Sequence, residues 1–136
     1  MSTPILWIEI SVADIDRATS FYENVFGCKL ERRLIFGSEM ALFSKEDFGV
    51  KGALVLKESH GGNDSIKPTF FVNVMSDTIE TIKNFGGEVL TEPSILRQKN
   101  KDGDIIIGTN LIDGQVGYFA EIKDTEENHF YLYSHY

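Results

Sequence analysis

The chain has 136 residues, 42% hydrophobic and 25% charged, with a formal net charge of −8. That size and balance fit one globular domain with its own core. The acidity argues against a nucleic-acid partner, and no apolar run reaches the roughly 18 residues of a membrane span.

The N-terminus, MSTPILWIEI, lacks the basic region of a signal peptide. The single cysteine, Cys28, excludes an internal disulfide and fits a reducing cytoplasm. It reads as a small apolar residue rather than a nucleophile.

In residues 5–12, Leu6, Ile8, Ile10 and Val12 alternate with Ile5, Trp7, Glu9 and Ser11, which predicts a strand with one face on a core. Asp14 stands as a helix N-cap, and Asp16 adds charge near the positive end of the dipole. Ile15, Ala18, Phe21, Tyr22, Val25 and Phe26 then form an apolar helical stripe, which Gly27 ends. Strands follow at residues 29–36 and 39–44, with Gly37-Ser38 as a tight turn between them. Lys45-Glu46-Asp47 reads as a polar loop and residues 52–57 as a short apolar strand.

Residues 58–67, rich in Gly, Ser, Asn and Asp, form a linker. The next strand, residues 69–74, alternates Phe70, Val72 and Val74 with Thr69, Phe71 and Asn73. A helix follows with Ser76 or Asp77 as its cap and Asp77 with Glu80 at capping-box spacing. Its stripe is Ile79, Ile82 and Phe85, and Gly86-Gly87 ends it. A strand at 88–96 is interrupted at Pro93. Strands at 117–123 and 130–133 are joined by the turn 124–128, where Asn128 is expected in a left-handed conformation.

Each half is therefore a strand, a helix and three strands, and the halves align with Ile10 and Val12 on Val72 and Val74, and Gly27 on Gly86. The pattern implies a duplication within one domain of residues 1–136. Module 1 spans about 4–57, the linker 58–67 and module 2 about 68–136. Residues 97–115 form an atypical insertion with an apolar run at Ile105 to Ile107. An elongated hairpin, a strand against a partner subunit and a lid are the readings open for it.

The segment WIEISVADIDRATSFYENVFG resembles the opening signature of the vicinal oxygen chelate superfamily: the glyoxalase, bleomycin-resistance and extradiol-dioxygenase proteins. GGEVL and GYFAEIKDTEENHFYLYS resemble its second-half and C-terminal signatures. The resemblance implies an α+β fold of two βαβββ modules, with curled mixed sheets enclosing a cavity and helices outside. Trp7, Glu9, Thr69, Phe71, Asn73, Tyr131 and Tyr133 then face the cavity as ligand-binding residues. Leu6, Ile8, Ile10, Phe70, Val72, Phe130 and Leu132 pack under helices.

In the superfamily's enzymes the first strand of each module and the last strand carry metal ligands. The matching positions here are Trp7, Thr69 and Tyr131, and residues 52–55 carry no His, Glu or Gln. Indole, hydroxyl and neutral phenol are poor ligands for such metals, so no metal and no cofactor are expected. Glu9 is the candidate catalytic residue, a general base in a partly apolar cavity; the alternative is a hydrogen-bonding role with Tyr131, Tyr133 or Asn73. His60 reads as a loop residue, His135 as near-terminal, and His129 shares parity with Tyr131. The aromatic residues either wall a pocket for a planar or cationic ligand or fill it themselves.

The leading expectation is a cytoplasmic, metal-independent small-molecule-binding protein, with ligand or drug sequestration as the role the resemblance offers. By the resemblance it is a homodimer with sites between subunits, with neither nucleic acid nor membrane as partner. The alternative expectation is a lyase, isomerase or dioxygenase using Glu9 as base or an unconventional metal set. A third is an interaction module with a plugged cavity.

Overall fold

The computed structural model describes residues 4–35, 37–57, 66–96, 98–99, 105–106, 110 and 112–136. Phe36, His60, most of the linker and much of the 97–115 insertion lie outside the described residues.

Local sequence signals set the first module. Strand β1 (Trp7–Val12) passes through Asp14, whose side chain accepts from the Arg17 amide at 3.0 Å, into helix α1 (Ile15–Phe26). Gly27 closes the helix at φ 64°, a left-handed conformation that costs glycine nothing. Strands β2 (Glu31–Ile35) and β3 (Ser38–Phe43) pair antiparallel around Gly37. The expected polar loop at residues 45–47 is instead a single helical turn, α2 (Lys45–Phe48). Ser44 caps it by accepting from the Asp47 amide at 3.1 Å, and Gly49 ends it at φ 76°. Strand β4 (Lys51–Leu56) completes the sheet in the order β1-β4-β3-β2.

The second module repeats this arrangement with β5 (Thr69–Phe71), α3 (Met75–Asn84), β6 (Glu88–Ile95), β9 (Tyr118–Lys123) and β10 (His129–Ser134), in the sheet order β5-β10-β9-β6. Both sheets are mixed: β1 runs parallel to β4 as β5 does to β10, and the remaining pairs are antiparallel. The insertion contributes a short antiparallel pair, β7 (Gln98–Lys99) and β8 (Ile105–Ile106). Register shifts in β6 fall between Val89 and Thr91 and between Thr91 and Ser94, around Pro93, which cannot donate to a ladder.

The expected capping box at Asp77 and Glu80 does not cap α3. The helix starts earlier, at Met75, with Val74 as N-cap and no side-chain cap bond. The Met75 amide donates to the Tyr136 carbonyl at 2.9 Å, so a residue sixty positions away satisfies the helix start. Val74 ends up exposed, because β5 stops at Phe71 and the chain turns into the helix.

One hydrophobic core joins the modules. Ile15, Ala18, Phe21 and Tyr22 of α1 meet Met75, Ile79 and Ile82 of α3, with Val12, Leu54, Ile122, Phe130 and Leu132 from the sheets. Phe26 lies 4.4 Å from Phe70 and 5.8 Å from Phe130 between ring centroids. The α+β class with two βαβββ modules is as expected. The two sheets do not close on each other in the single chain, and the helices touch each other within the shared core. Leu6, expected under a helix, is 78% exposed because the β1 ladder starts only at Trp7.

The turn after β9 clasps the modules together. Glu126, buried, accepts from the amides of Ala13 and Asp14 at 2.9 and 2.8 Å and from Arg17 Nε at 2.7 Å. Tyr22 donates to Asp124 at 2.7 Å, and the Asn128 side chain donates to the Ser11 carbonyl at 2.8 Å. Burial pushes the Tyr22 hydroxyl well above its ordinary value, with the Asp124 charge adding to it. Burial also raises Asp124, against the hydrogen bonds it accepts.

The left-handed residue of this turn is Glu127 (φ 65°), not Asn128, whose side chain is held by the contact to Ser11. A non-glycine residue there is strained by about 1–2 kcal/mol. Glu127→Gly is therefore expected to stabilise by about 0.5–1 kcal/mol after the extra freedom of glycine in the unfolded chain. An unchanged or lower urea midpoint would count against that strain.

Candidate functional site

The odd-numbered faces of β1, β5 and β10 lie opposite the core and carry the expected binding residues. On β1, the Trp7 indole N–H donates to Glu9 Oε2 at 3.0 Å, and Trp7 remains 43% exposed. In the second sheet the register sets Tyr131 beside Thr69 and opposite Glu121, and Tyr133 beside Phe71 and opposite Phe119. These side chains share one face because alternate residues of a strand point the same way. The Phe119 and Tyr131 rings lie 4.7 Å apart between centroids, tilted 41° to each other.

Two polar clusters are built on this face. In the first, Lys67 Nζ lies 2.9 Å from Glu121 Oε2, donates to the Tyr131 hydroxyl at 3.4 Å and sits 5.2 Å from the Tyr131 ring centroid. The hydrogen bond to Glu121, with that to Tyr131, holds the Lys67 ammonium above its usual range. His129 Nδ1 is buried 3.5 Å from Glu121 and has no hydrogen bond among the described residues.

The second cluster centres on Asp113, which accepts from the Tyr133 hydroxyl and pairs with His135 Nε2, each at 2.7 Å. Asn110 donates to the same Tyr133 hydroxyl at 2.7 Å. The Tyr133 hydrogen bond, with help from His135, holds the Asp113 carboxyl below its usual range, outweighing a partial loss of solvation. Burial raises Tyr133, which is only 1% exposed. The His135 ring meets those of Phe71 and Tyr133 edge-on at 5.2 and 5.5 Å.

Of the seven residues expected to bind a ligand, Thr69, Phe71 and Asn73 line one groove of about 570 Å³ beside α3. Tyr131 and Tyr133 are engaged in the two polar clusters, and Trp7 and Glu9 pair with each other on the first sheet. Among the described residues, no three His, Cys, Asp or Glu side chains are grouped to hold a metal ion. Cys28 donates weakly to the Tyr22 carbonyl at 3.5 Å, and its thiol is pushed up to about 11, chiefly by burial.

Residues 5–45 match the family model described as bleomycin resistance protein-like N-terminal. No curated protein sequence matches the chain. Solved structures match over nearly its whole length. A hypothetical protein from S. aureus superposes with a TM-score of 0.65 at 17% identity, over 98% of this chain and 95% of that one. The fosfomycin resistance protein FosX from Listeria monocytogenes gives 0.63 at 18% identity, over 98% and 94%. A glyoxalase I variant from Zea mays gives 0.67 at 18% identity, over 97% of this chain but 46% of that one. The chain has the vicinal oxygen chelate fold.

Within this fold, the three positions at which the resemblance implies metal ligands are spread over both sheets. Thr69 and Tyr131 are register partners on adjacent parallel strands, and Trp7 lies on β1 of the other sheet. Sequence reasoning missed Lys67, Glu121, Asp113 and His135. A parity signal existed for two of them: His135 continues the Tyr131–Tyr133 face, and Glu121 lies opposite it across the ladder. Lys67 and Asp113 had none, since they fall in segments read as linker and insertion.

Proposed function

We propose that this chain is a metal-independent small-molecule-binding protein of the vicinal oxygen chelate superfamily, which sequesters a neutral or cationic aromatic ligand. What carries the reading is the chemistry at the three ligand positions. Trp7 offers an N–H that Glu9 already accepts, Thr69 a hydroxyl, and Tyr131 a phenol hydrogen-bonded by the Lys67 ammonium. Indole has no lone pair to give, and a cation 3.4 Å from the Tyr131 oxygen repels a second cation. These residues do not fit a divalent ion.

The exposed Trp7 and Phe71, with the neighbouring rings of Tyr131 and Phe119, supply aromatic surface for a planar ligand. The net charge of −8 favours a cationic one. Glu9 serves in this reading as the acceptor that orients Trp7, rather than as a general base. A second copy of the chain completes the site: β1 and β5 are free sheet edges, and Ile5, Leu6, Trp7 and Phe71 are exposed around them. The homodimer works in the cytoplasm, in keeping with the lone cysteine, and no helix among the described residues is long and apolar enough to cross a membrane.

Trp7 is the chain's only tryptophan, so its emission reports on this face directly. Titration of metal-free protein with bleomycin is expected to change Trp7 emission saturably, with Glu9→Gln still binding. One equivalent of Mn²⁺ retained through dialysis by the wild type and lost in Glu9→Ala would overturn the metal-independent reading. Sedimentation is expected to show a dimer that Leu6→Asp dissociates; a monomeric wild type would remove the second copy from the site.

A further inference from the structure

A second cavity lies on the other side of β1, away from the open face. It has a volume of about 230 Å³ between β1, β4, α2 and β5. Ile8 and Ile10 of β1, Leu54 of β4 and the rings of Phe43, Phe48 and Phe70 provide its apolar walls. Among the described residues, no charged side chain lines it. Of the lining hydroxyls, that of Tyr22 is already bonded to Asp124 at 2.7 Å.

We propose that this cavity is a second ligand site, for a neutral aromatic molecule of one or two rings. The volume argues for the size. An apolar cavity of about 150 Å³ stays dry and takes benzene, so 230 Å³ accommodates a bicyclic ring system. The lining argues for the chemistry. A charged group would lose its hydration with no counter-charge in reach, and water finds too few polar partners to fill the space well. Phe43, Phe48 and Phe70 offer ring edges and faces, with Phe48 in edge contact with Phe43 at 4.8 Å and with Phe70 at 5.4 Å.

Phe48 is the residue through which a ligand enters. It stands at the end of the one-turn helix α2, next to Gly49 at φ 76°, and is only half-buried. Of the other walls, Phe43 and Leu54 lie on strands paired on both sides, and Ile8 and Ile10 lie on the edge strand β1, held to β4 along its whole length. A rotamer change at Phe48 opens the cavity without disturbing a sheet. The cavity shares Phe48, Thr69 and Phe70 with the groove beside α3, but Trp7, Glu9 and Tyr131 do not line it, so those three residues distinguish it from the open face.

Indole is the probe that tests this. With the full-length protein carrying labelled methyl groups, indole is expected to shift the Ile8, Ile10, Leu54 and Val50 methyls saturably at submillimolar concentration. It should also give intermolecular contacts from those methyls to its ring protons. Val50→Phe and Ile10→Phe, which fill the space, should each weaken binding by about tenfold or more. Glu9→Gln and Tyr131→Phe should bind indole as the wild type does.

Absence of methyl shifts in the wild type at 5 mM indole, roughly the weakest end of specific binding, would overturn the proposal, as would shifts confined to Met40 and Val55 on the open-face side. The wild-type contacts decide the matter even if a filling variant does not fold. Failure of bleomycin to alter Trp7 emission leaves this result untouched, so the two sites are judged separately.

Discussion

Glu126→Ala is expected to destabilise the protein by about 3 kcal/mol. At this chain length that lowers Tm by about 10 °C. The substitution strips several partners at once: the amides of Ala13 and Asp14 lose their acceptor at the start of α1, Thr125 loses the acceptor of its hydroxyl, and Arg17 loses its ion pair with Glu126. The two amides dominate, because Arg17 is half exposed and water replaces its partner. Glu126→Gln keeps a carbonyl for the amides and should lose only about a third as much, roughly 1 kcal/mol. Thermal and urea unfolding of the two variants separate these contributions; equal losses would mean that charge, not amide capping, holds the clasp.

The same contact predicts an acid limb. Burial works to raise the Glu126 carboxyl, but Arg17 and the amides of Asp14 and Ala13 outweigh it and hold the group below its ordinary 4.5. A carboxyl depressed on folding contributes stability that is present above about pH 4.5 and lost as pH falls through the lower folded value. Glu126→Gln should flatten that part of the stability profile. Asp124 shifts the opposite way, so it does not produce the same limb.

Gly52→Ala is expected to cost about 4 kcal/mol or to prevent folding. A Cβ at this position would stand 1.9 Å from the Ile8 carbonyl oxygen and 2.4 Å from Phe43 Cζ. The ring can turn, but the carbonyl belongs to the β1–β4 ladder, in which Ile8 and Gly52 are register partners. Relief therefore requires the two strands to part, and with them the floor under α1. Ala53→Gly, one position along and on the other face, should cost only about 1 kcal/mol. Near-native stability of Gly52→Ala by urea unfolding would show that the sheet relaxes more easily than this packing implies.

The residues legible from sequence were those whose partners are near in the chain. The alternation of residues 6–12, the Asp14 cap, the Gly27 stop and the Gly37 turn each depend on neighbours within four residues, and each is found in place, the alternation from Trp7 onward. The duplication was legible for the same reason, as two runs of local signals in the same order. The α2 turn was within reach too: Ser44 followed by Asp47 and closed by Gly49 carries both end signals. Four residues are simply too few for an apolar period to show.

What escaped the sequence depends on register and on distant partners. Tyr136 capping α3, Glu126 capping α1 and Asn128 reaching Ser11 join residues from about sixty to over a hundred positions apart. The capping box at Asp77 was a sound local signal displaced by such a contact. On the open face, alternation told which residues share a side, and the pairing of Lys67 with Glu121 and of Asp113 with His135 followed only once strands lay next to one another.

By itself, then, the sequence determined two βαβββ modules, the alternation that turns one strand face to the core, and indole, hydroxyl and phenol at Trp7, Thr69 and Tyr131. Those follow from side-chain period and residue chemistry, which are properties of short segments. Tertiary structure alone decided that the helices share one core, that the Asp124–Asn128 turn clasps the first module, and that an apolar cavity remains behind β1. The reason is physical: a cavity or a clasp is set by how separately formed surfaces meet, and no window of sequence contains both surfaces.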